Sequence, residues 1–351
     1  MDIIAMDVHK RYSQVCIQTP QGQYLYEGRL EHRRGSIQRF LERWTPGSPV
    51  AIETVGNWYW VADEIEAAGM EPRLVHAGKA RQMLGCVVKT DKLDARGINR
   101  LQRIGTLPTV WIPPGPIRDQ RALLRTRMAL SARRTAFKNR VIAELDKYGL
   151  GDALYEISDV FGVEGRKRVE TLLDALPPHT RYGVTETLKV IDIFTHAMGR
   201  MEKRLVRYLK PTETVRHLMS LPGTGLILGS VMAVEIGDIR RFPSAQQYAS
   251  YAGTTPRVHS SGGKTRYGRC RQDVNHYLKW AYVEAATNAS HRNTKAYPHA
   301  RALYLRIHEK KGHSIAAVAV ARHLAEASWW MLQNQDDYRE PRQQRVEPMK
   351  A

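Results

Sequence analysis

Cysteine is scarce in this chain: three residues, Cys16, Cys86 and Cys270, among 351, too few and too scattered for a disulfide framework or a CxxC metal site. A reduced, cytoplasmic setting is expected. No apolar run approaches the ~18 residues of a membrane span. The opening MDIIAMDVHK carries an acid at Asp2 and lacks the basic-then-apolar order of a secretory leader. Membrane insertion and secretion are therefore not expected. The GxxxxGK[ST] loop of nucleotide hydrolases is absent, and the 13 histidines show no HExxH or other ligand spacing, so neither ATP hydrolysis nor zinc chemistry is indicated. No internal repeat is visible.

Acids are in deficit as well. Lys and Arg number 54 against 35 Asp and Glu, a formal net charge of +19, which suits a polyanionic partner. The excess is concentrated in residues 101–150, with 10 basic and 3 acidic residues, and in 251–300, with 8 and 2. The first hundred residues are nearly neutral, 14 basic against 12 acidic, and several of those acids lie in apolar runs, where a carboxylate is costly unless a cation binds it.

Local patterns divide the chain. Residues 2–8, 13–19 and 23–30 read as β-branched strands, the latter two separated by the turn Pro20-Gln21-Gly22. A helix capped by Ser36, a buried strand at 50–54, a helix at 57–68, a strand at 72–77 and a helix at 91–103 opened by Thr90 or Asp91 complete a mixed α/β unit. The proline-rich 108–116 ends it. Residues 117–148 read as one long basic helix, with a second at about 186–209 able to return antiparallel to it; helices at 272–289 and 313–333 dominate the rest. The expected architecture is an α/β domain at 1–107, a helical, coiled-coil-like linker at 108–215, a mostly α-helical domain at 216–333 and a polar tail at 334–351.

Asp7 ends the first strand, Glu53 ends the VAIET strand, and Asp91 and Asp94 lie three apart on one helix face. Strand ends of an α/β sheet gather on one edge, so these four acids are candidates to converge on one or two Mg²⁺ ions, the arrangement used for in-line phosphodiester displacement. Each also fits a plain role, as a turn residue, a strand-end surface acid or a helix-start acid favoured by the macrodipole.

Leu221-Pro222-Gly223-Thr224-Gly225 before an apolar helix has the form of a helix-hairpin-helix turn, whose glycines bring backbone N–H groups near a phosphate; an ordinary turn between helices is the alternative. Ser260, Ser261, Gly262 and Gly263 read as a loop beside Lys264, Arg266, Arg269 and Arg271. A serine there can attack a phosphate while the cations neutralise developing charge, or the serines can simply bind phosphate. His259 fits a phosphate contact or packing better than a base, and Tyr267 and Trp280 fit stacking or packing. Arg118, Arg121 and Arg125 on the long helix are candidate nucleic-acid contacts.

The blocks MDVHK (6–10), IETVG (52–56), KTDKLDA (89–95), LPGTG (221–225), IGDIRRFPSAQQYASYAGTTP (236–256) and SSGGK (260–264) together resemble the DEDD-type insertion-sequence transposases with a RuvC-like N-terminal domain and a C-terminal transposase domain, the bridge-RNA-guided recombinases. The resemblance spans nearly the whole chain. It implies an RNase H/RuvC-like first domain, Mg²⁺ on Asp7, Glu53, Asp91 and Asp94, and a serine nucleophile that forms a covalent link to DNA. Ser261 fits that position, with Ser260 as the fallback. It further implies donor and target DNA, a structured noncoding guide RNA, and a dimer or tetramer in which one copy's acids meet another's serine. Gly-Thr-Thr-Pro at 253–256 stands where the family commonly has Gly-Leu-Thr-Pro, a departure that touches packing. Two other functions use the same features: a junction resolvase or nuclease that activates water with these carboxylates, and a non-enzymatic nucleic-acid binder.

Overall fold

A computed structural model describes residues 1–85, 90–208, 211–291 and 296–341. Cys86, Lys89 of the third acidic block and residues 342–351 of the polar tail lie outside the described residues. The chain divides into two compact units, Met1–Pro113 and Pro114–Ala351.

The first unit runs β1 (Ile3–Val8), β2 (Tyr12–Gln18), β3 (Tyr24–Glu31), α1 (Ser36–Leu41), β4 (Pro49–Glu53), α2 (Trp58–Ala67), β5 (Glu71–Val75), α3 (Ala77–Leu84), α4 (Asp91–Arg103) and β6 (Thr109–Val110). Its sheet has the order β3-β2-β1-β4-β5-β6. The first three strands form an antiparallel meander, β4 and β5 run parallel to β1, and β6 is antiparallel. This mixed α/β arrangement is consistent with an RNase H-like domain. Because β1 and β4 are central, their residues are buried on both faces, and the near-continuous apolar IIAM and VAI segments follow from that.

Side-chain amides fasten α4 to the sheet. Asn99 Nδ2 donates to the carbonyls of Ile3 (2.7 Å) and Cys16 (3.0 Å), and Gln102 Nε2 donates to those of Ile4 (3.2 Å) and Pro49 (2.9 Å). Both residues are buried, so these bonds anchor the C-terminal half of the helix. Ser36 does not cap α1 as expected. Its Oγ donates to Glu31 O (2.9 Å), while the buried Glu64 carboxylate on α2 accepts from the backbone N–H of Gly35 (2.6 Å) and Ile37 (3.1 Å). A charged acceptor from a neighbouring helix satisfies the first turn instead.

The second unit contains α5 (Gly115–Lys147), α6 (Val163–Leu172), α7 (Pro178–Tyr208), α8 (Glu213–Met219), α9 (Leu226–Ile236), α10 (Ala245–Tyr251), a hairpin of β7 (Pro256–Ser261) and β8 (Lys264–Cys270), α11 (His276–Ser290), α12 (Pro298–Lys311) and α13 (His313–Asn334). Helix α7 returns antiparallel to α5, with Arg127 Nη2 donating to Glu202 Oε1 (2.6 Å) and Phe137 stacking on Phe194. The main core of this unit gathers Leu218, Val231, Met232, Tyr248, Leu278, Tyr282, Val320 and Leu324. Alanines on α11 and α13 keep those helices close, and a buried relay joins Tyr248 Oη, Tyr282 Oη and Ser328 Oγ at 2.6 Å per step. Thr254, at the departure from the family pattern, is buried with its Oγ1 donating to Ala249 O (3.0 Å). No helix among the described residues is long and apolar enough to cross a membrane.

Candidate functional site

Parallel pairing of β1 with β4 sets Met6 opposite Ile52, so Asp7 and Glu53 follow one another across the same sheet edge. The anchored α4 begins beside that edge, its first turn capped by Thr90 Oγ1, which accepts from Leu93 N–H (3.3 Å). One cavity of about 380 Å³ is lined by Asp7, His9, Glu53, Arg81, Thr90, Asp91 and Asp94 among others. The four acids expected from the sequence thus meet at one place.

The tightest part is Asp7, His9 and Asp91. His9 Nε2 lies 3.2 Å from Asp7 Oδ2 and 3.3 Å from Asp91 Oδ2. Tyr12 Oη donates to Asp91 Oδ2 at 2.8 Å, and this bond holds the phenol above its ordinary pKa. Burial raises the pKa of Asp7, His9 works against that rise, and the negative charges of Asp94 and Asp91 add to it. A buried carboxylate crowded by two others is a place where a divalent cation would relieve repulsion, and the hard oxygen donors suit such an ion. The residues present therefore fit a metal, and Asp7, His9 and Asp91 have the spacing to hold one.

His9, Tyr12 and Arg81 were not among the residues singled out from the sequence. For His9 a signal existed: it lies two residues beyond Asp7, the strand period that keeps side chains on one face. For Tyr12 and Arg81 none did, since Tyr12 reaches Asp91 from β2 and Arg81 lines the cavity from α3.

The Ser-Ser-Gly-Gly segment is not a loop but the tip of the β7–β8 hairpin. Ser261 pairs with Lys264 across Gly262 and Gly263, whose φ values of 55° and 75° supply the left-handed pair that a tight two-residue turn requires. Strand alternation separates the two serines. Ser261 shares a face with Arg257, His259, Lys264 and Arg266, whereas Ser260 lies on the other with Val258, Thr265 and Tyr267. Two observations agree with this split: Ser260 Oγ lies 3.3 Å from Thr265 Oγ1, and a Cβ on Gly268 would lie 3.7 Å from Arg257 Cβ and 3.6 Å from His259 Nε2. Ser261, Lys264, Arg266 and Arg269 are exposed; Tyr267 is exposed too, while Trp280 packs against the core.

The structure turns two of the expected nucleic-acid contacts inward and leaves the third, Arg125, partly exposed. Arg118 and Arg121 are buried. Arg121 Nε donates to Val234 O (2.7 Å) and its Nη2 to Glu235 O (2.9 Å), while Arg125 forms a two-pronged pair with the Glu235 carboxylate at 2.7 and 2.9 Å. The charges of Arg121 and Arg125 serve the C-terminal carbonyls and the buried acid of α9. In the LPGTG turn, Gly223 has a φ of 72°, and a Cβ there would stand 2.1 Å from Ala285 O. Asn288 Nδ2 donates to its carbonyl at 3.2 Å. This glycine is needed for close packing on α11; Gly225, the N-cap of α9, has no atom within 4 Å of its Cβ position.

Comparison with known proteins adds two family matches. Residues 4–150 match the DEDD transposase family of IS110, and residues 215–304 match the family described as Transposase IS116/IS110/IS902 family. The chain belongs to the DEDD-type insertion-sequence transposases. Relatives of this transposase include the transposase for insertion sequence element IS1111A of Coxiella burnetii, 25% identical over 96% of the chain and 91% of the relative. The transposase for IS1328 of Yersinia enterocolitica is 26% identical over 75% and 76%. A Pseudomonas aeruginosa protein named "Probable family 20 transposase" is 26% identical over 89% and 91%.

Proposed function

We propose that this transposase cuts and exchanges DNA strands through a serine ester, with Asp7, Glu53, Asp91 and Asp94 holding a divalent ion, Mg²⁺ in the first instance, and Ser261 as the nucleophile. The observation that carries the reading is the convergence of four acids from three separate segments on one cavity. A bound divalent ion supplies Lewis-acid screening of phosphate charge there. The chain's own residues do the rest. Two strand ends and an anchored helix start hold the carboxylates in fixed positions.

Ser261 stands on the cationic face of its hairpin with Lys264 and Arg266, which draw in a phosphate and offset charge that builds on its oxygens. Arg269, also exposed, adds to the attraction. Attack forms a bond from Ser261 Oγ to phosphorus and breaks the bond from phosphorus to the neighbouring deoxyribose oxygen, and the serine proton ends on the released sugar hydroxyl. The ester retains the free energy of the broken phosphodiester, so attack by another strand's hydroxyl restores a continuous strand with no nucleotide hydrolysed.

In this reading the partners are donor and target DNA, a noncoding guide RNA and further copies of the chain in a dimer or tetramer, all in the cytoplasm at the nucleoid. Ser261→Ala is expected to abolish the covalent protein–DNA adduct, seen on denaturing gels, and to lower recombination by roughly 10⁴-fold or more. Ser260→Ala is expected to retain both. An adduct persisting in Ser261→Ala overturns the nucleophile assignment. Full DNA cleavage in Ser261→Ala, lost in Asp7→Ala, marks a hydrolytic nuclease instead.

A further inference from the structure

The acid cluster contains one donor of a different kind. The His9 backbone is fixed twice, its N–H donating to Tyr12 O (2.9 Å) and its carbonyl accepting from Asn57 Nδ2 (3.0 Å). Its ring packs on that of Tyr12 with centroids 4.6 Å apart, and the Arg29 guanidinium lies 3.8 Å from the Tyr12 ring centre. Held in this way, Nε2 points between Asp7 and Asp91. It is shut from solvent and makes no hydrogen bond of ordinary geometry. Nε2 lies 3.2 Å from Asp7 Oδ2 and 3.3 Å from Asp91 Oδ2, close to the roughly 3 Å between neighbouring ligands whose bonds to one ion are each about 2.0–2.2 Å.

We propose that His9 Nε2 is itself a ligand of the ion held by Asp7 and Asp91. The site then offers nitrogen as well as oxygen and favours Mn²⁺, which accepts an imidazole, over Mg²⁺, which keeps to oxygen. This rests on the reading that the carboxylates hold a divalent ion, and it adds a donor outside the four acids. A buried ring nitrogen aimed at two carboxylates from a doubly fixed backbone is what a ligand position requires.

The test uses the full-length protein and Mn²⁺ alone. Pulsed electron paramagnetic resonance of the Mn²⁺-loaded wild type is expected to show coupling to a ¹⁴N nucleus that changes to ¹⁵N when only histidine is labelled. His9→Gln is expected to lose the coupling, bind Mn²⁺ about tenfold more weakly and narrow the preference for Mn²⁺ over Mg²⁺ in competition titrations. Bound Mn²⁺ with no histidine coupling in the wild type overturns the inference and leaves the four-acid reading standing. Coupling that survives in His9→Gln overturns it as well. If Asp7→Asn binds Mn²⁺ as tightly as the wild type, or the wild type binds none, the underlying reading fails and the inference with it. The labelling experiment needs no variant, so a misfolded His9→Gln does not blunt it.

Discussion

Asp7 in the first unit and Glu235 in the second are both acids taken out of water, at 7% and 1% exposure, and their surroundings meet the cost in opposite ways. Glu235 is met by cations of its own chain. Arg125 forks onto it, Arg121 Nε lies 3.5 Å away, and Asn275 Nδ2 donates to it at 2.9 Å. Asp7 is met by more acids, Asp91 and Asp94, with His9 as its nearest basic group. A buried carboxylate neutralised from within ties helices together; one surrounded by like charge is poised for a cation from outside.

Removing Glu235 breaks the first arrangement. Glu235→Ala leaves Arg121 and Arg125 around an unfilled centre, and loss of one partner of a buried ion pair costs about 3–5 kcal/mol. Chemical denaturation of the full chain should show a drop of that size, the largest effect expected here. A change below about 1 kcal/mol would mean that the pair behaves as a surface contact.

Asp7→Asn probes the second arrangement and has the opposite sign. Burial raises the folded-state pKa of Asp7 above its unfolded value near 3.8, so stability is lost as pH rises through that window and the ionised acid is a burden at neutral pH. In chelator at pH 7 the variant should melt above the wild type, and the gap should close as pH falls toward 3.8. Added Mn²⁺ should raise the wild type's melting temperature more than the variant's. A variant that melts lower at pH 7 would place Asp7 in the same structural class as Glu235.

Tyr12→Phe should have the smallest effect on melting, since the phenol is only half-buried and the ring stays in place. It removes the hydroxyl that orients Asp91 at 2.8 Å, and Mn²⁺ affinity, read by calorimetry, should fall about tenfold. Unchanged affinity would show that the bond to Asp91 does not set the ligand's orientation.

Much of the first unit was legible in the sequence. The strands that carry Asp7 and Glu53 at or next to their ends were readable because central strands are apolar on both faces and an acid there stands out. The pairing of Asp91 with Asp94 was readable from helical period alone. What was not legible came from contacts between distant segments. Arg118, Arg121 and Arg125 look like a basic helix face, yet Arg118 is buried, and Arg121 and Arg125 turn toward the C-terminal carbonyls of α9 and the Glu235 carboxylate. The Ser-Ser-Gly-Gly segment looked like a loop because its strands carry serine, histidine and arginine, with no buried face to impose an apolar pattern. Cross-strand hydrogen bonds alone define it.

The sequence by itself determined which acids end which elements, where the long helices run and where the positive charge lies, since each depends on residues close together in the chain. Tertiary structure alone decided which charges face a cavity and which face a partner, that His9 joins the acids, and that Ser261 shares the cationic face while Ser260 does not. Burial, the field of neighbouring charges and strand register belong to surfaces assembled from separate segments, and those surfaces exist only once the sheet and the helical unit have formed.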